Sequence, residues 1–446
     1  MQERIAKLIR DGHFMELLKG GGLSLIVKVV AMLAGFVFQW LITTYYGSEQ
    51  LGMLLSSISV LAMVLLIGKL GLDTANLRFV AQYKVQNAFS TIKQIRLKSL
   101  PVILVMAILA NAALFFLAEI LAEKVFQRPD LANPIQLISF AIVPMAIYQF
   151  NAEGLRGLKR IKEYAFLANA GRFVFGAIAF VVAFFILRTE LEPSVLFVTG
   201  CAITAVFSIW LWRKEFEKVL ANNPEDESTE LVSYNNIFKL SIPLLLASST
   251  AFLMNWTDTL ILTYFQPSED VAVYNIALKF AMVGKVVLMA INSIAAPKFA
   301  EFYGQNDLKG LGKVVRQSTK LIFWTSVPLL LLFMLFPGFF LGIYGDEYLA
   351  GTTCLMLLAG AQFFSAISGS VGNILQMTGK QQVFQNIILV SMIINVGINL
   401  ILIPMHGILG AAISGFLTIV LRNLFSVIYI YRSYGFLTLY IPLLTK

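Results

Sequence analysis

The stretches QWLITTYYGSEQLGMLL (39–55) and GLDTANLRFVAQY (71–83), with an apolar run between them, decide how the chain is built. A second copy follows about 220 residues later: DTLILTYFQPSEDVAVY (258–274), another apolar run, then APKFAEFY (296–303). At one offset Glu49 falls on Glu269, Arg78 on Lys298, Phe79 on Phe299 and Tyr83 on Tyr303. The same offset carries Lys93 onto Lys313 and Arg96 onto Arg316. A register held through a loop and a basic segment marks an internal repeat. The 446 residues then divide into two halves of equal length.

Working outward, 58% of the residues are hydrophobic, 13% are charged and the mean hydropathy is +0.79. Soluble domains carry about 25% charged residues, so the chain reads as a polytopic membrane protein. Spans of about 20 mostly apolar residues fall near 20–46, 51–72, 99–121, 132–152, 164–187 and 193–212 in the first half. The second half gives 237–265, 270–296, 319–343, 349–375, 382–403 and 408–431. Between the halves lies the acidic stretch ANNPEDESTE (221–230). The expected organisation is a first bundle over 1–220, a cytoplasmic linker over 221–236 and a second bundle over 237–446. Residues 1–19 are polar and the apolar run after them is too long for a signal-peptide core, so the first helix is expected to be retained. Cys201 and Cys354 sit inside apolar segments and read as small buried hydrophobes.

Orientation follows from lysine and arginine in alternate loops. Lys124, Arg128 and Arg188 fall on one side, with Glu49, Glu123, Glu190, Glu269, Asp270, Asp346 and Glu347. The other loop cations, from Arg4, Lys7, Arg10 and Lys19 through Lys93, Arg96, Arg156 and Lys313 to Lys446, fall opposite. Both termini are therefore expected to be cytoplasmic. The fold class is an all-α membrane protein of about 12 transmembrane helices in two parallel six-helix bundles. One-sided loop charge also explains the net charge of +9, so nucleic acid is not needed as a partner.

Ionisable residues inside a membrane are functional candidates because burying them unpaired is costly. Asp258 and Lys279 stand symmetrically about the turn at 267–268, each about 15 Å deep, with Asn255, Thr257 and Asn275 as polar company. Opposite charges at one depth invite a pair. It reads either as a gate or coupling element, or as a structural salt bridge. Lys285 lies about 25 Å from the same turn. Lys28 and Lys69 lie near the cytoplasmic edge, where they snorkel or join Arg78 and Arg172 in a cationic vestibule for an anionic headgroup. Asp73 is placed to pair with one of them. Arg422 is read as snorkelling.

No G-x-x-x-x-G-K-[ST] phosphate loop is present, which argues against ATP hydrolysis. His13 and His406 are far apart, no metal-ligand spacing or nucleophile–base arrangement stands out, and no cofactor is expected. Glu119, Glu123 and Asp130 read as solvated loop carboxylates. The run GILGAAISG (407–415) suggests close helix packing.

YYGSEQLG (45–52), GLDTANLRFVAQY, TDTLILTYFQPSEDVAVYNIALKFA (257–281), YGDEYLAG (344–351), LQMTGKQQ (375–382) and LIPMHGILGAAISG (402–415) together resemble a known family. It is the polysaccharide-biosynthesis or O-antigen flippases of the multidrug/oligosaccharidyl-lipid/polysaccharide (MOP) exporter superfamily. The resemblance implies two bundles rocking about a central cavity. It implies a substrate of undecaprenyl pyrophosphate carrying an O-antigen (lipopolysaccharide) or exopolysaccharide repeat unit, moved from the cytoplasmic to the periplasmic leaflet of a bacterial inner membrane. Lys28, Lys69, Lys279 and Lys285 match the basic residues that receive the pyrophosphate in relatives. A coupling ion (H+ or Na+), the lipid bilayer and a polysaccharide polymerase complex are the further partners expected. The two additional C-terminal helices of peptidoglycan-precursor flippases are missing, which disfavours lipid II. The chief rival is a cation-coupled multidrug exporter, which would want cavity carboxylates where this chain offers mainly lysines. A membrane polymerase or ligase would need a long outer loop, and the outer loops are short, so the chain is not expected to be an enzyme.

Overall fold

The computed structural model describes residues 12–221 and 232–442. Most of the linker, together with Arg4, Lys7, Arg10 and Lys446, lies outside the described residues, as do the side chains of His13, Lys19 and Asn255. The described chain is all-α. It runs through α1 (Gly12–Lys69), α2 (Leu72–Val85), α3 (Phe89–Ile120), α4 (Ala132–Ser139) and α5 (Ile142–Gly157). Next come α6 (Ile161–Ala165), α7 (Gly171–Val181) and α8 (Pro193–Ala221). Then follow α9 (Tyr234–Phe265), α10 (Ser268–Gly304), α11 (Leu308–Leu335), α12 (Pro337–Gly342), α13 (Thr352–Ser368), α14 (Val371–Met377), α15 (Gln381–His406) and α16 (Ile408–Tyr434).

Among the described residues, 9 helices are long and apolar enough to cross a membrane, or 10 if a pair bent by 48° between Pro129 and Gly157 forms one span. The run Val27–Lys69 is counted once yet holds two helices, because the backbone at Gly47 turns to φ 86° and ψ 169°. Only glycine adopts that conformation without steric cost. Helix α9, of 32 residues, has the length of a further span. The expected multi-pass all-α membrane fold is the one found.

The chain forms two compact units. One comprises Ile26–Trp256; the other comprises Met1–Leu25 with Thr257–Lys446. Within the first, α5 packs on α2 and α8, and α7 packs on α8. Helix α3 buries Ile103, Ala107, Ala110, Leu114 and Ala118 while Val105, Leu109, Phe116 and Leu117 stay exposed. Both sets are apolar, as a helix meeting protein on one side and lipid on the other requires. Small residues on the buried side let the helices approach closely.

In the other unit, α10 packs on α11 and α13, and α16 packs on α13 and α15. Helix α13 stops at Gly369, whose φ of 74° breaks the ladder before α14 begins. Such a break leaves carbonyls without helical partners. One of them, Ile367 O, accepts from Tyr440 N at 3.0 Å. That donor arrives on a tail that turns back after Gly435 (φ 74°). Phe436 of the tail enters a core with Phe299, Leu311, Val315, Ile374, Leu375 and Ile430. Tyr440 Oη also accepts from Trp324 Nε1 at 3.3 Å.

Candidate functional site

Each unit carries its own polar cluster among apolar helices. In the unit Ile26–Trp256 the starting point is the junction of α1 and α2, where Leu70 (φ 50°) and Gly71 (φ 69°) interrupt the helix. Lys69 ends one helix and Asp73 begins the next, the charge order that helix dipoles favour. Lys69 Nζ lies 2.5 Å from Asp73 Oδ2 and donates to Gln149 Oε1 at 2.7 Å. Beside Gln149 on α5, Tyr148 Oη accepts from Arg172 Nη1 at 3.1 Å. The Arg172 guanidinium lies 4.7 Å from the Phe173 ring centroid. Arg172 stands two residues past a π turn at Phe166–Ala170, a distortion often found where a side chain is aimed for function.

One turn along α5 from Gln149, Glu153 Oε2 meets Arg156 Nη1 at 3.3 Å, and Arg156 stands 5.1 Å from the Tyr164 ring centroid. The charges of Lys69 and Asp73 act on Glu153, and that of Arg156 acts on Lys28. Lys69 and Arg156 thus meet Asp73 and Glu153, with Arg172 bonded to Tyr148, the neighbour of Gln149. Arg78, expected among them, lies on the exposed face of α2 and joins none of these contacts. It is five residues past Asp73, roughly 140° round the helix. Arg156, Gln149 and Glu153 were missed as site residues. The Glu153–Arg156 spacing and the single Gln149 in an apolar run were the available signals.

Arg96 is a second miss. Its position among loop cations gives way to a place seven residues inside α3, where Nη2 donates to Asn151 Oδ1 at 2.6 Å. The guanidinium stacks 3.6 Å from the Trp212 ring centroid and 4.7 Å from that of Phe150. Asn151 Nδ2 donates onward to Ser208 Oγ at 3.0 Å. Helices α3, α5 and α8 meet there, and aromatic faces and an amide, not a carboxylate, compensate the charge.

In the other unit, Asp258 near the end of α9 is the centre. Its Oδ1 accepts from Asn399 Nδ2 at 2.6 Å and its Oδ2 from Tyr274 Oη at 2.9 Å. Asn399 Nδ2 also reaches Asn395 Oδ1 at 3.1 Å, and Asn395 Nδ2 donates to Ser414 Oγ at 3.1 Å. Asn399 Oδ1 is buried with no hydrogen-bond partner. Thr259 Oγ1 donates to Asn275 Oδ1 at 3.2 Å.

The expected pairing of Asp258 with Lys279 is corrected here: neutral donors from α10 and α15 meet the carboxylate. Depth alone suggested the pair. Tyr274 takes the side of α10 that faces Asp258, and Lys279 stands roughly 140° round from it, half-buried. Lys285 is exposed on α10, within the electrostatic reach of Arg422 on α16. Among the described residues no three His, Cys, Asp or Glu side chains group as metal ligands.

Comparison with known proteins follows this geometry. The model of a family described as polysaccharide biosynthesis protein matches residues 17–303, more than half of the chain. The chain belongs to that family. A second family model, MatE, matches residues 243–401, a span that includes Asp258, Asn395 and Asn399. A probable low-salt glycan biosynthesis flippase, Agl15 of Haloferax volcanii, is 22% identical over 180 residues, 40% of this chain and 38% of that one. Among solved structures, an inward-facing multidrug resistance MATE transporter of the MOP superfamily aligns with a TM-score of 0.70 at 14% identity. The alignment covers 92% of this chain and 98% of that one. The lipid II flippase MurJ, in an inward closed conformation, aligns with a TM-score of 0.68 at 12% identity, covering 92% and 87%. The fold is that of the MOP-superfamily transporters and flippases.

Proposed function

We propose that the protein is a flippase that carries a lipid-linked oligosaccharide across the membrane by alternating access, and that it is not an enzyme. The substrate is read as undecaprenyl pyrophosphate bearing an O-antigen or exopolysaccharide repeat unit. It moves from the cytoplasmic to the periplasmic leaflet of a bacterial inner membrane, with both termini cytoplasmic. A polysaccharide polymerase complex would then take the product. The observation that carries this reading is the excess of cations in the unit Ile26–Trp256. Lys69 and Arg156 meet the two carboxylates Asp73 and Glu153, and the same unit holds Arg172, bonded to the neutral Tyr148 hydroxyl, and Lys28. A pyrophosphate sugar leaving water needs such charges to offset its desolvation. The prenyl chain can stay in lipid. Lys279 and Lys285 are the candidate substrate-binding cations of the other unit, taken by itself. The named glycan flippase among the relatives supports the substrate class.

Asp258 is read as the coupling residue. A carboxylate held by neutral donors, beside the unpartnered oxygen of Asn399, can take up a proton or a sodium ion without breaking an ion pair. The same feature favours one second reading, a cation-coupled drug exporter, and the MatE match over 243–401 supports it. Reconstituted vesicles separate the two. Vesicles holding the protein should expose a fluorescent polyprenyl-pyrophosphate glycan to an outside enzyme faster than protein-free vesicles, with no uptake of cationic dyes. Dye transport without glycan movement would overturn the flippase in favour of the exporter.

A further inference from the structure

We infer that the exposed cationic face of α11 binds acidic phospholipid headgroups, as an interaction surface separate from the transport site. Lys309, Lys313, Arg316 and Lys320 are all exposed. Their spacing of four, three and four residues confines them to a wedge of about 60° on one helix. Among the described residues none of the four forms an ion pair. The other unit differs: Lys69, Arg156, Arg160 and Lys218 there pair with Asp73, Glu153 and Glu215.

Two features identify the partner as lipid. The stripe continues along the same face into Trp324 and Leu331, which are 55% and 41% exposed, and Leu335 is exposed close by. A face that is cationic at one end, carries tryptophan at the boundary and leucine beyond it matches the passage from headgroups to hydrocarbon. The Trp324 indole is also held in place by its bond to Tyr440 Oη, which fixes the boundary on this helix. The repeat partner helix lacks the feature. Arg96, the counterpart of Arg316, is turned inward against Trp212, leaving Lys93 exposed without it.

The stripe is roughly 16 Å long, whereas the headgroup layer on each side of a bilayer is about 5–7 Å thick. Lys320 and Arg316, next to Trp324, therefore sit among the phosphates. Lys313 and Lys309 stand about 5 and 10 Å beyond Arg316, where the surface potential falls off over a Debye length of about 8 Å. Asp307, which caps Gly310 N at 2.8 Å, adds a negative charge beside Lys309. The contributions are graded, with the pair nearest Trp324 contributing most.

The test titrates phosphatidylglycerol into the purified full-length protein in phosphatidylcholine-containing micelles and reads the midpoint of thermal stabilisation. Each cation within the headgroup layer is worth about fivefold in binding. Arg316→Gln with Lys320→Gln should raise the midpoint about 25-fold. Lys309→Gln with Lys313→Gln should raise it by less than fivefold, and Lys93→Gln should leave it unchanged. Arg316→Lys with Lys320→Arg should restore the parent value, and all variants should melt alike without phosphatidylglycerol. An unchanged midpoint in the Arg316/Lys320 variant overturns the proposal. So does a larger effect from Lys309 and Lys313 than from Arg316 and Lys320, which would contradict the placement of the headgroups beside Trp324.

Discussion

Arg96 and Arg316 hold matching places in the two sequence halves, and the two units use them in opposite ways. Arg96 is half-buried against Trp212 and Phe150 and bonds Asn151; Arg316 stands exposed on α11. The candidate sites differ likewise. The unit Ile26–Trp256 gathers cations around two carboxylates, while the other surrounds one carboxylate with a tyrosine and asparagines. Matching places in the sequence do not carry matching surroundings: single side chains decide whether a position turns into the protein or out of it.

The largest expected effect breaks the arginine comparison. Arg96→Ala leaves Asn151 Oδ1 without its donor and a void beside Trp212. It should cost about 3 kcal/mol of stability, read as a fall in the thermal midpoint and in folded yield. Arg316→Ala should leave the midpoint where it was. Equal effects at the two positions would remove the contrast.

Next comes Asp258→Asn, which keeps the shape and removes the charge. Transport should fall at least tenfold, while the midpoint holds or rises, since a buried charge replaced by a neutral group often stabilises. Tyr148→Phe removes the hydroxyl bonded to Arg172 and should weaken substrate binding about fivefold, the worth of one net hydrogen bond, with little change in folding. The smallest effect is expected at the tail. Tyr440→Phe keeps the backbone donor and the ring but removes the acceptor of Trp324 Nε1, and should cost about 0.5 kcal/mol, visible as a small fall in the midpoint.

The spans were legible in the sequence because runs of about 20 apolar residues have few alternatives. Which face of each span is buried was not, because α3 is apolar on both its protein and lipid sides and so lacks a periodic signal. Local charge pairs could be read: Asp73 follows Lys69 by one helical turn, and the two do meet. Asp258 was singled out for its depth, but its partner Asn399 lies 141 residues away. No spacing rule links positions that distant. The inward turn of Arg96 depends on Trp212 and Asn151, brought to it by folding alone.

The most direct measurement compares binding and translocation of one polyprenyl-pyrophosphate glycan by Lys69→Gln/Arg172→Gln and by Asp258→Asn, each in the full-length protein. Both variants should lose translocation. Binding should weaken at least tenfold in Lys69→Gln/Arg172→Gln and stay at the parent level in Asp258→Asn. The reverse pattern, with binding kept when the cations are removed and lost when the carboxylate is, would contradict the assignment of headgroup binding to the cations and coupling to Asp258.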